Sequence, residues 1–300
     1  MEILSDPTPD MYVMPRFDDD TIDMQELLRR LAEQVVNAVM DAEADQLCGG
    51  ANSRNGYRER ALATCVGTLT RRQGRDPPEG RVAAWKANAM GPALLARACA
   101  EHGITLVHVS SDYVFDGTAE VHGEEEPFSP LSVYGQTKAA GDIAVAGCPR
   151  HYIMRSSWVI GEGHNFVKTM KSLSVRVADP EDALDKITVV DDQLGRLTFT
   201  RDMAAAIFHV LDTHAAYGTY DCTGSGAVKS WAEIAHAVFD AANGNGDKVV
   251  PVSTADYYAG AEGPIAPRPV HSALDLAKLE AAGFYMPDWE EELGEYLKAL

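Results

Sequence analysis

Apolar residues recur every three or four positions between Ile22 and Met40, at Met24, Leu27, Leu28, Leu31, Val35 and Val39. That spacing predicts an amphipathic helix, entered through Asp20 or Thr21 as N-cap. The stretch before it, residues 1–20, is rich in Pro, Asp and Met, has no period and reads as loosely ordered. A polar loop punctuated by Gly and Asn follows at 46–60, then a short strand at Ala63–Leu69. The run RRQGRDPPEG from Arg71 to Gly80 has no periodicity and carries a Pro-Pro pair, which marks a boundary. Beyond it the texture changes. Helices are predicted at 81–101, 132–146, 201–213, 229–242, 273–282 and 289–299, and strands at Thr105–Val109, Tyr152–Ser156, Val189–Val190, Thr219–Cys222 and Lys248–Val252. Apolar strands alternating with helices predict an α/β fold with a parallel sheet.

Composition narrows the class without naming a function. The chain has 300 residues, 46% hydrophobic and 24% charged, as in a globular protein of one large or two modest domains. Its net charge of -19 disfavours nonspecific nucleic-acid binding by the chain as a whole. The five cysteines (48, 65, 99, 148 and 222) are odd in number and never spaced C-x-x-C, so reduced thiols are expected rather than a disulfide framework or a zinc site. No basic leader and no long apolar run is present, and a cytoplasmic protein is expected.

The chemistry is concentrated in two runs, Ser110-Ser111-Asp112-Tyr113-Val114-Phe115-Asp116-Gly117 and Tyr134-Gly135-Gln136-Thr137-Lys138. A Tyr-x-x-x-Lys pair places phenol and ammonium one helical turn apart on the same face. The ammonium favours the phenolate and draws the tyrosine's titration down from its ordinary value near 10. A serine at the end of an apolar strand can then hold a carbonyl oxygen. Together these are the parts for reducing a ketone with a nicotinamide cofactor. Taken alone, Tyr-x-x-x-Lys on a helix is usually a surface aromatic beside a solvated lysine.

Flanking segments give the pair a context: WKANAMGPALLARACAEHG (85–103), LVHVSSDYVFDGT (106–118), PFSPLSVYGQTKAAGD (127–142), RSSWVIGEGHNF (155–166), VVDDQLGRLTFT (189–200) and RPVHSALD (268–275). In this order they resemble the dTDP-4-dehydrorhamnose reductases, a branch of the extended short-chain dehydrogenase/reductases, over about residues 77–300. The resemblance implies a Rossmann-like sheet with a smaller substrate-binding subdomain. It implies reduction of the 4-keto group of dTDP-4-dehydro-L-rhamnose to dTDP-L-rhamnose with NADPH or NADH, a step in making cell-surface polysaccharide. By resemblance Tyr134 is the acid/base, Lys138 its support and Ser111 the hydroxyl that holds the carbonyl. Asn88, Ser110, Tyr134 and Lys138 are implied at the cofactor, and Trp158, Asn165, Gln193, Arg196 and Arg268 at the substrate. The two arginines suit a diphosphate because a guanidinium fork matches phosphate oxygens. Trp158 fits either a sugar-stacking surface or core filling, and its place at a strand end favours the ligand. Leu197 stands where proline is frequent in the family.

The segment MPRFDDDTIDMQELLRRLAEQVVNAVMDAEADQLCGG with NSRNGYRERALATCVGTLT (52–70) resembles the N-terminal portion of a mutator-type insertion-sequence transposase. The organisation expected is a mostly helical transposase-like segment at 1–76 joined to a reductase-like domain at 77–300 that lacks its first βαβ units. A glycine-rich turn that opens a helix in an N-terminal βαβ unit, where a pyrophosphate binds, is not found. Gly49-Gly50 follows a predicted helix, while Gly161/Gly163 and Gly224/Gly226 follow later strands. On physical grounds this favours loss of NADPH-dependent activity. The reductase therefore stays beside an inactive chimeric fragment that has lost the dinucleotide-binding N-terminus, either a sugar-nucleotide-binding remnant or a pseudogene product, and more weakly a DNA-binding remnant. The acidic residues Asp112, Asp116 and Glu124–Glu126 read as a solvated loop rather than a metal site, since no fixed ligand spacing is visible. Arg54, Arg58 and Arg60 likewise read as a solvated loop. A dTDP-sugar is the expected partner, with no membrane, no nucleic acid and room for a homodimer.

Overall fold

A computed structural model describes residues 62–64, 67–69, 78–260 and 265–300. The expected helix at 22–40, the loop at 46–60 with its three arginines, and most of the transposase-like stretch lie outside the described residues. The single strand expected at 63–69 is instead two short strands, β1 (Leu62–Thr64) and β2 (Gly67–Leu69), paired antiparallel with Leu62 opposite Leu69.

The helix expected at 81–101 is three pieces in one rod: α1 (Pro78–Trp85), a π-helical turn (Lys86–Met90) and α2 (Gly91–His102). Pro92 explains the interruption. It has no N–H to give the Asn88 carbonyl four residues back, and the ladder shifts so that Gly91 N–H reaches Lys86 O. Gly103, at φ 65°, closes the rod as a left-handed C-cap with its N–H on Cys99 O.

From there the chain alternates strand and helix. Strand β3 (Leu106–Ser111) leads through a 3₁₀ turn (Asp112–Val114) to α3 (Val133–Ala146), and β4 (His151–Ser156) pairs parallel to β3 in the register Leu106 to His151 and Ser111 to Ser156. A further excursion comprises β5 (Val159–Ile160), α4 (Phe166–Ala178), β6 (Ile187–Val190), β7 (Leu194–Gly195), β8 (Thr198–Phe199) and α5 (Thr200–Asp212). The chain then returns to β9 (Gly218–Asp221), parallel to β4, giving the sheet order β3-β4-β9. After β10 (Lys229–Ser230), α6 (Trp231–Asn243) and β11 (Val249–Val252) come α7 (Thr254–Tyr257), α8 (Ala277–Ala281) and α9 (Trp289–Ala299). Outside the main sheet, β5 pairs with β8 and β6 with β11, both parallel, and β7 with β10 antiparallel. The α/β architecture with parallel strands is as expected. Helix α4 was not anticipated, although Phe166, Val167, Met170, Leu173 and Val177 fall on one helical face.

Alternation along β4 builds the core on both faces of the sheet. Tyr152 and Met154 pack with Met203, Val210, Tyr220 and Leu279 on one side, while Ile153 meets Ala96 and Val145 on the other. A second apolar body lies under the smaller strand pairs, where Trp158, Trp231, Phe239 and Trp289 pack together. Each such fully buried side chain contributes about 1.5–3 kcal/mol of transfer free energy. Leu197 belongs to this body and is fully buried, so its side chain faces the core.

Candidate active site

The carboxyl end of β3 brings the two motifs together. Ser111 ends the strand and caps the 3₁₀ turn, accepting from Tyr113 N–H at 3.3 Å and donating its own hydroxyl to Asp112 Oδ1 at 3.0 Å. Ser132 caps α3 by accepting from Gly135 N–H, which places Tyr134 in the helix's first turn. The ring of Tyr134 is half-buried and stands edge-to-face on Tyr113, with centroids 5.6 Å apart. A Cβ at Gly135 would collide with the Tyr113 carbonyl oxygen, so glycine is what allows the turn after β3 to cross the start of α3. One turn on, the Lys138 side chain is buried and its ammonium donates to Val109 O at 2.6 Å.

Asn88 meets the same helix on either side of Lys138. Its Nδ2 donates to Thr137 Oγ1 at 3.1 Å, and its carbonyl, freed by Pro92, presses on Gly141 where a Cβ would not fit. Asn88 therefore touches the lysine's neighbour and the residue one turn later. Ser110, implied at the cofactor, is fully buried and donates to Asp142 Oδ2 at 2.8 Å, so its hydroxyl is committed inside the protein.

Beneath these residues lies a charge network that the sequence reading missed. Arg155, from the middle strand, reaches Asp142 and Asp221, each at 3.3 Å, and its guanidinium lies 4.9 Å from the Phe115 ring centroid. His108 Nε2 stands 3.3 Å from the other Asp142 oxygen. Burial raises the pKa of Asp142, but the His108 hydrogen bond and the charges of Arg155 and Lys138 outweigh it and hold the carboxyl below its ordinary value. At Asp221 burial wins over Arg155 and the carboxyl is pushed well up, helped by the nearby Glu124. His108 is lowered, chiefly by burial. No periodicity announces these partners. Asp142 at four residues from Lys138 was the one available signal, because that spacing repeats the helix face.

Asp112 corrects the solvated-loop reading. It is 2% exposed, and burial raises its carboxyl to about 6 against the pull of hydrogen bonds from Ser272 and Ser111. Other acids of that stretch are also engaged: Glu124 accepts from Asp221 N–H at 3.1 Å, and Glu126 lies 2.8 Å from Nδ1 of the fully buried His122. Among the described residues, no group of three or more His, Cys, Asp or Glu side chains is placed to hold a metal ion.

The residues implied at the substrate are divided by the fold. Arg196 reaches the carboxyl end of β3 through three converging loops: its Nη1 donates to Leu274 O at 3.4 Å, Leu274 bridges to His122, and His271 N–H meets Gly117 O at 3.2 Å. The Arg196 Nε is buried without a hydrogen-bond partner. Arg268 is half-buried at the start of the same 268–275 segment. Trp158, at φ 48°, stacks on Trp231 at 3.8 Å and is pressed by Gly195, leaving it 6% exposed. This placement favours the core-filling alternative over sugar stacking. Asn165 caps α4 by accepting from Lys168 N–H, and its Nδ2 donates to Gly161 O and to Tyr296 Oη, so its amide is occupied within the protein. Gln193 is buried and donates to Thr254 Oγ1 at 3.0 Å, away from Ser111 in its bonding.

A phenol beside a lysine ammonium is a donor set that fits the ribose and nicotinamide end of a dinucleotide. Ser110 does not add to it, since its hydroxyl is directed at Asp142. Among the described residues, Gly161 and Gly163 lead from β5 into α4, yet Asn165 takes both of their carbonyls.

Comparison with known proteins gives this geometry a context. The sequence model of the RmlD substrate binding domain matches residues 78–300. A dTDP-4-dehydrorhamnose reductase of Sinorhizobium fredii is 39% identical over 230 residues, covering 72% of this chain and 73% of that protein. A crystal structure of a dTDP-4-dehydrorhamnose reductase from Clostridium acetobutylicum superposes with a TM-score of 0.67 at 36% identity, covering 76% of this chain and 77% of that one. The corresponding enzyme of Bacillus anthracis, solved in complex with NADP, gives a TM-score of 0.64 at 34% identity, covering 74% of each chain.

Proposed function

The chain belongs to the family of the RmlD substrate binding domain, and from that premise we propose that it is a dTDP-4-dehydrorhamnose reductase, converting dTDP-4-dehydro-L-rhamnose to dTDP-L-rhamnose. The observation that carries this reading is the meeting of Ser111, Tyr134 and Lys138 at the carboxyl end of β3, where α/β sheets place their ligands. The reductases that the chain resembles support this reading over that of a silent fragment.

A bound NADPH would supply the hydride for C4 of the sugar. The chain's own part is to hold the ketone and deliver the proton. Tyr134 donates its phenolic proton to the oxygen that becomes the C4 hydroxyl, and Lys138 lowers the energy of the phenolate left behind. Ser111 holds the same oxygen. Asn88 acts on α3 through Thr137 and Gly141, keeping Lys138 in register. Arg196 and Arg268 supply the guanidinium charge for the diphosphate. We read residues 1–76 as a separate segment of transposase-like character and 77–300 as the reductase domain, in a cytoplasmic protein.

The experiment is an NADPH titration of the full chain by cofactor fluorescence and calorimetry, followed by turnover of dTDP-4-dehydro-L-rhamnose read from NADPH absorbance. Saturable binding with ketone-dependent oxidation is the expected result. No binding at millimolar NADPH would sink the reductase and leave a sugar-nucleotide-binding protein.

A further inference from the structure

A serine hydroxyl has one proton to give and two lone pairs to receive. At Ser111 the proton goes to Asp112 Oδ1 at 3.0 Å and one lone pair receives Tyr113 N–H at 3.3 Å. In this arrangement Ser111 can still accept a hydrogen bond but has none to donate. A ketone oxygen brings no proton, so the hydroxyl as drawn cannot hold it. An alcohol could donate to it.

Resting on the reading in which Ser111 holds the substrate's carbonyl oxygen, we propose that Asp112 is a positioning residue whose proton decides which way the Ser111 hydroxyl points. As a carboxylate it keeps the Ser111 proton on Oδ1. As a carboxylic acid it donates to Ser111 Oγ; the two lone pairs are then filled by Asp112 and Tyr113, and the Ser111 proton turns to the ketone. No atom is gained or lost beyond the one proton taken from solvent. The acid form serves the ketone, and the ionised form serves the alcohol.

Three observations support it. Asp112 Oδ2 is buried without a hydrogen-bond partner, an unfavourable place for a full negative charge. The carboxyl's titration is raised to about 6, so that both forms are reached near neutral pH. The site also has the means to stabilise either form, since Ser111 and Ser272 hydroxyls reach the carboxyl. The titratable and charged groups of the surrounding elements are Asp116, His122 and Glu126 from the loop after the turn, His271 beside Ser272 and Asp275 three residues on, Arg196 from between β7 and β8, Tyr134 and Lys138 from α3, and Arg155 beneath Phe115. A charge on His122 favours the ionised form of Asp112.

The test is infrared difference spectroscopy on the full chain, wild type minus D112N. A protonated-carboxyl band assigned to Asp112 is expected in acid and lost with a midpoint near 6. In S111A the carboxylate loses a donor, and the midpoint is expected to rise by about one pH unit. Absence of the band at about pH 5, or an S111A midpoint equal to wild type, overturns the proposal. In turnover, kcat/KM for the ketone is expected to fall as pH rises through that midpoint in wild type. D112N should lose this inflection, because its amide donates to Ser111 Oγ at every pH; an inflection unchanged in D112N also overturns the proposal. Absence of turnover in wild type strikes at the reductase reading, while the carboxyl band still decides the role of Asp112.

Discussion

The Ser110 hydroxyl donates to the Asp142 carboxylate across 2.8 Å, tying the strand that ends in Ser111 to the helix that carries Tyr134 and Lys138. The same carboxylate receives Arg155 at 3.3 Å from the next strand. One buried charge therefore sets the relative position of the two motifs. Removing one member of a buried ion pair leaves the other uncompensated, which is more damaging than the pair itself is stabilising. D142A is expected to lower unfolding stability by roughly 3–5 kcal/mol, with D142N costing less because it keeps a partner for Ser110. Denaturant titration of the two variants checks the order.

For the proposed chemistry, Y134F removes the proton donor and nothing else of the same shape. A fall in kcat/KM of about 10²–10⁴-fold is expected, measured by NADPH oxidation in the full chain. K138M should fall within the same range, and it also loses the bond to Val109 O. A Y134F variant as fast as wild type would remove Tyr134 from the mechanism.

Asn165 distinguishes a structural amide from a ligand-binding one. Its side chain caps α4 and ties Gly161 to Tyr296. N165A should therefore lose about 1–2 kcal/mol of stability with no ligand present, read as a lower Cm in urea. Unchanged apo stability combined with a raised KM would instead place the amide at the substrate.

Gly195 is where Trp158 leaves no room: an added Cβ would lie 2.8 Å from the indole. G195A is expected to destabilise by about 1–3 kcal/mol and to change the tryptophan emission, because the Trp158–Trp231 stack must shift. A variant with wild-type stability and emission would show that this wall yields.

Burial at Asp112 has a consequence for stability as well. Its folded value of about 6 lies above the ordinary 3.8, so the folded chain binds the proton more tightly than the unfolded chain. The stability this provides is complete below the ordinary value and is lost as pH rises through about 6. Two units correspond to about 3 kcal/mol. The stability of D112N relative to wild type should therefore grow by up to about that amount between about pH 4 and pH 8, as measured by urea unfolding at each pH. A constant difference would mean that Asp112 titrates normally.

Much of this was legible before the fold was known. Ser132 before an apolar run announced α3, and Gly103 after His102 announced the end of α2. The parallel sheet followed from strands alternating with helices. The π-turn at Asn88 was written in Pro92, four residues on, but only once the helix was taken to run through it. Helix α4 is not among the helices expected from the sequence, although its apolar face is regular. The solvated-loop reading of Asp112 rests on the lack of a fixed ligand spacing, and nothing local shows that Ser272 and His122 will close over it.

By itself the sequence determined most of the longer elements and pointed to Ser111, Tyr134 and Lys138 as candidates, since helical and strand periods and the Tyr-x-x-x-Lys spacing act over a few residues. Tertiary structure alone decided the environment of that trio. Ser110 with Asp142, Arg155 with Asp221, and Asp112 with Ser272 join residues far apart in the chain, brought together by the packing of α3 on β3, by the register of β4 on β9 and by the loop over the strand ends. Burial sets the charge of such groups, and burial is a property of the packed molecule rather than of any segment of it.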